Sequence, residues 1–164
     1  MEIEMLRRMA HYNRWMNEKL MATCSQLGDE ARKQDRGAPF CSIHGLWNHL
    51  LVCDRLWLAR FEYSKLPYSK LDHEICADWN DLQAERARTD DAIDAFVETL
   101  TLEKLRSMLR FTAVSNPQER ELPLWITVQH FFNHQTHHRG QITALMEQAG
   151  LDCGVTDIAA MPQE

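Results

Sequence analysis

The chain has 164 residues, 45% hydrophobic and 26% charged, with 18 basic against 24 acidic side chains and a net charge of −6. That length and balance predict one soluble globular domain over 1–164 with a real core. The densest basic stretches are the pairs Arg7-Arg8 and Arg32-Lys33, so a phosphate-tracking nucleic-acid surface is not expected.

The first predicted element is a helix over 2–27. Met5, Met9, Tyr12, Met16, Leu20, Thr23 and Leu27 recur every three or four residues along it, and Gly28 fits as its stop. A polar loop over 29–41, with Gly37 and Pro39, follows. Ser42 fits the N-cap of a second helix over 43–64. Its inner face reads Leu46, His49, Leu50, Cys53, Leu56, Trp57 and Phe61, an apolar stripe with one histidine inside it.

A third helix is predicted over 76–100 on Trp79, Leu82, Ile93, Phe96, Val97 and Leu100, with Arg86 and Thr89 interrupting the stripe. Thr101 fits a cap for a short turn over 102–107. In 108–122, Leu109, Phe111 and Ala113 alternate with polar neighbours before a turn signal at Asn116-Pro117, as in a small hairpin or extended crossover. Pro123 fits the first turn of a last helix over 123–149, and Gly150 its end. Thr127, Phe131, His134, His138, Gln141 and Leu145 are its expected inward positions. The tail, 151–164, has no strong pattern. Four amphipathic helices with one long crossover define an all-α four-helix bundle, a fold that places metal sites between facing helices.

Five cysteines, at 24, 41, 53, 76 and 153, form an odd set without a CxxC. This is the pattern of a reduced, cytoplasmic protein. The opening MEIEMLRRMAHYNRW lacks the apolar core of a signal peptide, and no apolar run approaches the roughly 20 residues that span a membrane.

The last helix carries His130, His134, His137 and His138, four of the eight histidines, within one short stretch. His134 and His138 are four apart and therefore share a helix face, where two imidazoles can grip one ion. His130 with His134 satisfies the same spacing. His49 supplies a third imidazole if the two helix faces meet. Three imidazoles suit Zn²⁺, Ni²⁺ or Fe²⁺ and leave a coordination position open, as catalytic sites do. There is no HExxH, no GxSxG elbow and no phosphate-binding glycine loop.

Ser42-Ile43-His44-Gly45-Leu46-Trp47-Asn48-His49-Leu50-Leu51-Val52-Cys53-Asp54-Arg55-Leu56-Trp57 resembles the second-helix motif of the DinB/YfiT-like family. Asn133-His134-Gln135-Thr136-His137-His138-Arg139-Gly140-Gln141 resembles its fourth-helix motif, and Tyr12-Asn13-Arg14-Trp15-Met16-Asn17 its first. The match runs in order over about residues 5 to 150, and the fourth-helix string is its specific part. The resemblance implies a three-histidine divalent-metal site with His49, His134 and His138 as ligands. Leu46-Trp47 stands where family members often carry smaller or polar residues, a difference expected to alter packing rather than ligation.

Around those ligands, Asn133 and Gln141 are candidates to orient an imidazole, Gln141 the better placed. His137 is expected to shape the pocket or play a structural part. Cys53, one turn after His49, is by default a buried inert thiol and otherwise a fourth ligand or reactive group. Trp47, Trp57, Phe131 and Phe132 are expected as core or pocket wall, Arg139 and Asp54 as an inter-helix ion pair, and Gly45 and Gly140 as points of close helix approach.

The family's known activities use low-molecular-weight thiols, which implies S-transfer or conjugation to an electrophilic small molecule through a metal-held thiolate. The alternatives are a hydrolase that uses bound hydroxide and a non-catalytic, metal-stabilised bundle. The family resemblance also implies a homodimer.

Overall fold

A computed structural model describes residues 1–114, 116 and 118–162. The helices are α1 (Glu2–Cys24), α2 (Asp29–Lys33), α3 (Ile43–Phe61), α4 (Trp79–Glu98), α5 (Leu102–Arg106) and α6 (Leu124–Gln148). Strands β1 (Met108–Thr112) and β2 (Glu119–Pro123) pair antiparallel between α5 and α6, with Met108 opposite Pro123 and Thr112 opposite Glu119. This is a four-helix bundle of α1, α3, α4 and α6 with a small hairpin, as expected. Pro117 of the expected turn lies outside the described residues.

α1 and α3 each pack against both α4 and α6. The core follows from the stripes: Met16, Leu20, Leu46, Leu50, Leu82, Ile93, Phe131 and Ile142 are all essentially inaccessible to solvent. Leu46 and Trp47, the two departures from the family pattern, are also buried there. The side chain of Ser42 accepts from the Gly45 amide at 3.0 Å and that of Thr101 from the Lys104 amide at 3.1 Å, so both proposed caps form. The tail folds back on the bundle: Tyr12 donates its hydroxyl to the Thr156 carbonyl at 2.6 Å, and Cys153 and Met161 are buried.

Several boundaries differ from the sequence reading. α1 ends at Cys24 because the amides of Gln26 and Leu27 bond three residues back and tighten the chain into a turn. Gly28 is consequently the N-cap of α2, not the stop of α1. α2 forms inside the expected loop, where Asp29-Glu30 at its start and Arg32-Lys33 at its end complement the helix dipole. Pro123 ends β2 and sits at the N-cap of α6 rather than in its first turn. A Cβ on Gly140 would meet nothing within 4 Å, so the close helix approach expected there does not form.

Gly45 does mark a close approach, but to a loop. A Cβ there would lie 2.1 Å from the Phe40 carbonyl oxygen. Phe40 and the adjacent Cys41 both have left-handed backbones, with φ of 60° and 65°. Gly45→Ala must therefore push this loop off α3; we expect a loss of about 1–3 kcal/mol, read by urea denaturation.

The interruption of the third-helix stripe is the largest feature that periodicity did not explain. Arg86 is 2% exposed and donates to Asp54 at 2.5 Å and Asp90 at 2.9 Å. Asn13 and Asn17 also donate to Asp90, at 3.3 and 2.9 Å. The expected Arg139–Asp54 pair does not form. Arg139 donates instead to Asn13, Asn17 and Gln135, because Arg86 already occupies Asp54. Burial pulls Arg139 down to a pKa of about 10.

Candidate metal centre

α3 and α6 lie side by side, and their inward faces bring His49, His134 and His138 together. One candidate ligand atom from each histidine lies within 4.8 Å of the others. Ring centroids are 4.5 Å apart for His49 and His138, 4.4 Å for His134 and His138, and 5.4 Å for His49 and His134. His49 and His138 are buried, and His134 is partly buried.

The hydrogen bonds orient the rings. Nδ1 of His49 is 2.9 Å from the Leu71 carbonyl, which can only accept, so that nitrogen carries the proton. Nδ1 of His138 donates in the same way to Oε1 of Gln141 at 2.8 Å. Both Nε2 atoms are then bare lone pairs, yet they face one another at 3.1 Å. Lone pairs at that range repel unless a cation lies between them. Two nitrogens on a tetrahedral zinc lie about 3.3 Å apart, so the spacing fits a shared ion.

Gln141 thus makes the contact with His138 that an orienting partner would make. Its amide also lies 3.3 Å from Nε2 of His137, which is exposed and steadies Gln141 rather than pointing at the cluster. We expect Gln141→Ala to weaken Zn²⁺ binding about 10–100-fold, measured by competition with a chelating dye.

Cys53 has Sγ 3.6–3.7 Å from the two His49 nitrogens, and burial pushes its thiol up to about 12. It packs against the ring as a neutral group and is not one of the converging atoms. Asn133 is exposed and makes no bond to the cluster. It lines a groove of about 1010 Å³ between α1, α5 and α6, together with Met5, Leu6, Trp125 and Phe132. None of the three clustered histidines lines that groove. His130 does line it, and its ring stands 5.9 Å from that of His134. The convergence therefore selects His134 with His138, and not His130 with His134, from the equally spaced pairs.

Two partners of the site had no signal in the sequence. Phe40 stacks on His49 at 3.6 Å between centroids and meets His138 edge-on at 6.0 Å. Leu71, from the loop between α3 and α4, contributes only a backbone carbonyl. Neither periodicity nor residue type distinguishes such positions.

Burial, with smaller contributions from the neighbouring rings, lowers His134 to about 3; burial and His138 lower His49 to about 4. An unfolded histidine titrates near 6.5. The stability carried by the neutral rings is therefore complete above pH 6.5 and is lost as the pH falls from there toward 4. Each ring contributes a slope of up to about 1.4 kcal/mol per pH unit. In thermal melts of chelator-treated protein we expect a lower midpoint at pH 5 than at pH 7; an unchanged midpoint would contradict the assignment.

A helical bundle with a buried three-histidine cluster on facing helices belongs to the class of proteins that build candidate metal centres in the bundle interior. The chain belongs to the DinB family, whose model matches residues 1–164. It is 26% identical over 153 residues to Protein DinB of Bacillus subtilis (strain 168), covering 89% of this chain and 87% of that protein. Its fold is similar to the crystal structure of a DinB-like protein from Bacillus cereus ATCC 10987, with a TM-score of 0.65 and 23% identity over 87% of this chain and 91% of that one. No helix among the described residues is long and apolar enough to cross a membrane.

Proposed function

We propose that this protein is a divalent-metal-dependent enzyme that transfers a small thiol to an electrophilic molecule, with His49, His134 and His138 holding a Zn²⁺, Ni²⁺ or Fe²⁺ ion. The observation that carries the reading is the pair of bare Nε2 atoms at 3.1 Å, each set by a proton donated away at Nδ1. A bound cation supplies Lewis acidity, which lowers the pKa of a coordinated thiol or water.

The chain's own residues do the rest. Leu71 and Gln141 hold two rings in the tautomer that presents Nε2. Phe40 covers one face of His49 and excludes water from that side. Three protein ligands leave a position for the small molecule. In the reaction, sulfur forms a bond to the electrophilic atom, the leaving group departs with its electron pair, and the thiol proton passes to solvent.

The test is turnover of a chromogenic electrophile such as 1-chloro-2,4-dinitrobenzene by metal-loaded protein, with and without a small thiol. Metal-dependent turnover that requires the thiol is expected. Metal-dependent cleavage of esters without thiol would instead identify a hydrolase.

A further inference from the structure

His49, Cys53, Trp57 and Arg60 follow one another on a single face of α3 at spacings of four, four and three. α6 faces them in the opposite direction: Nε2 of His138 meets Nε2 of His49 at 3.1 Å, and the His130 ring meets that of Trp57 at 5.2 Å. The two helices thus form a seam that begins at the histidine cluster, passes the Trp57–His130 pair and ends at Arg60.

Arg60 differs in its partners from Arg55, Arg86 and Arg139. Arg55 is paired with Glu85 and Arg86 with Asp54 and Asp90, while Arg139 spends its donors on Asn13, Asn17 and Gln135. Arg60 pairs with no carboxylate among the described residues. Its guanidinium lies 4.7 Å over the Trp57 ring and 5.6 Å from that of Phe111, and it makes one bond, from Nη2 to the Thr112 carbonyl at 3.2 Å. Its Nε, like those of Arg32, Arg36 and Arg86, is buried without a partner among the described residues. A buried donor without an acceptor is costly, and a guanidinium offers its donors as a planar fork that matches a carboxylate.

We propose that Arg60 is the specificity residue of the seam and that it binds a carboxylate on the thiol whose sulfur occupies the histidine cluster. This deepens the metal-and-thiol reading above and rests on it. The thiol is then a small molecule with a sulfhydryl at one end and an acid at the other. Its stem lies along Trp57 and His130, and Arg60 discriminates it from neutral thiols of equal length.

The experiment uses the Co²⁺-loaded protein and follows the thiolate-to-cobalt absorption band. The probes are ω-mercaptocarboxylates, from mercaptopropionate to mercaptoundecanoate, and the matching ω-mercaptoalcohols. Wild type is expected to bind the best-fitting acid about 10–100-fold more tightly than its alcohol. In Arg60→Gln that preference falls to within about twofold, with alcohol affinities and cobalt content unchanged. Arg60→Met, which keeps an apolar stem over Trp57, is expected to show the same loss. A thiol band in wild type without any acid preference, or a preference that survives in both variants, would overturn the role of Arg60 alone. Absence of a thiol band with every probe would overturn the underlying reading and this proposal with it.

Discussion

Arg86→Met is expected to be the most destabilising single change in the bundle, by about 3–5 kcal/mol. It leaves Asp54 and Asp90, 1% and 2% exposed, without the guanidinium that bonds to both. Burial already pushes the Asp54 carboxyl upward, and Arg86 is the main group opposing that shift. A domain of this size has roughly 5–15 kcal/mol in total, so the variant loses a large part of its margin. Urea denaturation measures it directly. The double variant Arg86→Met/Asp54→Leu should recover part of the loss, because it removes one of the two stranded charges. A loss for Arg86→Met within about 0.5 kcal/mol, as at an ordinary surface position, would show that the network does not carry this load.

The second large effect concerns ligand binding. His134→Ala removes one of the three converging imidazoles, and we expect metal affinity to fall by more than about 100-fold, beyond the range typical of an orienting partner such as Gln141. The fold should survive, because the His134 side chain is only partly buried and makes no hydrogen bond to the described residues. Metal per chain after gel filtration, measured beside the melting curve of the same preparation, separates the two effects. Equal metal content in wild type and variant would remove His134 from the ligand set.

The histidine geometry was half legible in the sequence. The four-residue spacing put His134 and His138 on one face, and periodicity placed His49 on the inner face of its helix. Nothing in the spacing decided between His134 with His138 and His130 with His134; the family resemblance chose, and the packing of α3 on α6 agrees with that choice. Arg86 and Thr89 read as breaks in an apolar stripe because periodicity counts every polar residue as outward. Both are buried: Arg86 donates to Asp54 of α3 and to Asp90 of its own helix, while Thr89 donates to the Glu85 carbonyl one turn back and accepts from Arg55 of α3. Asn13 and Asn17, noticed only as parts of a motif, are the α1 members of the same network. Phe40, the Leu71 carbonyl and Arg60 matter through contacts across the fold, which no local pattern encodes.

The central claim is that these three histidines hold one metal ion. Its most direct measurement is a crystal of the protein grown with Zn²⁺ and recorded on both sides of the zinc absorption edge. The account predicts an anomalous peak about 2.0–2.1 Å from Nε2 of His49, Nε2 of His138 and a ring nitrogen of His134. A peak coordinated instead by His130 or His137, or no peak between α3 and α6, would contradict it.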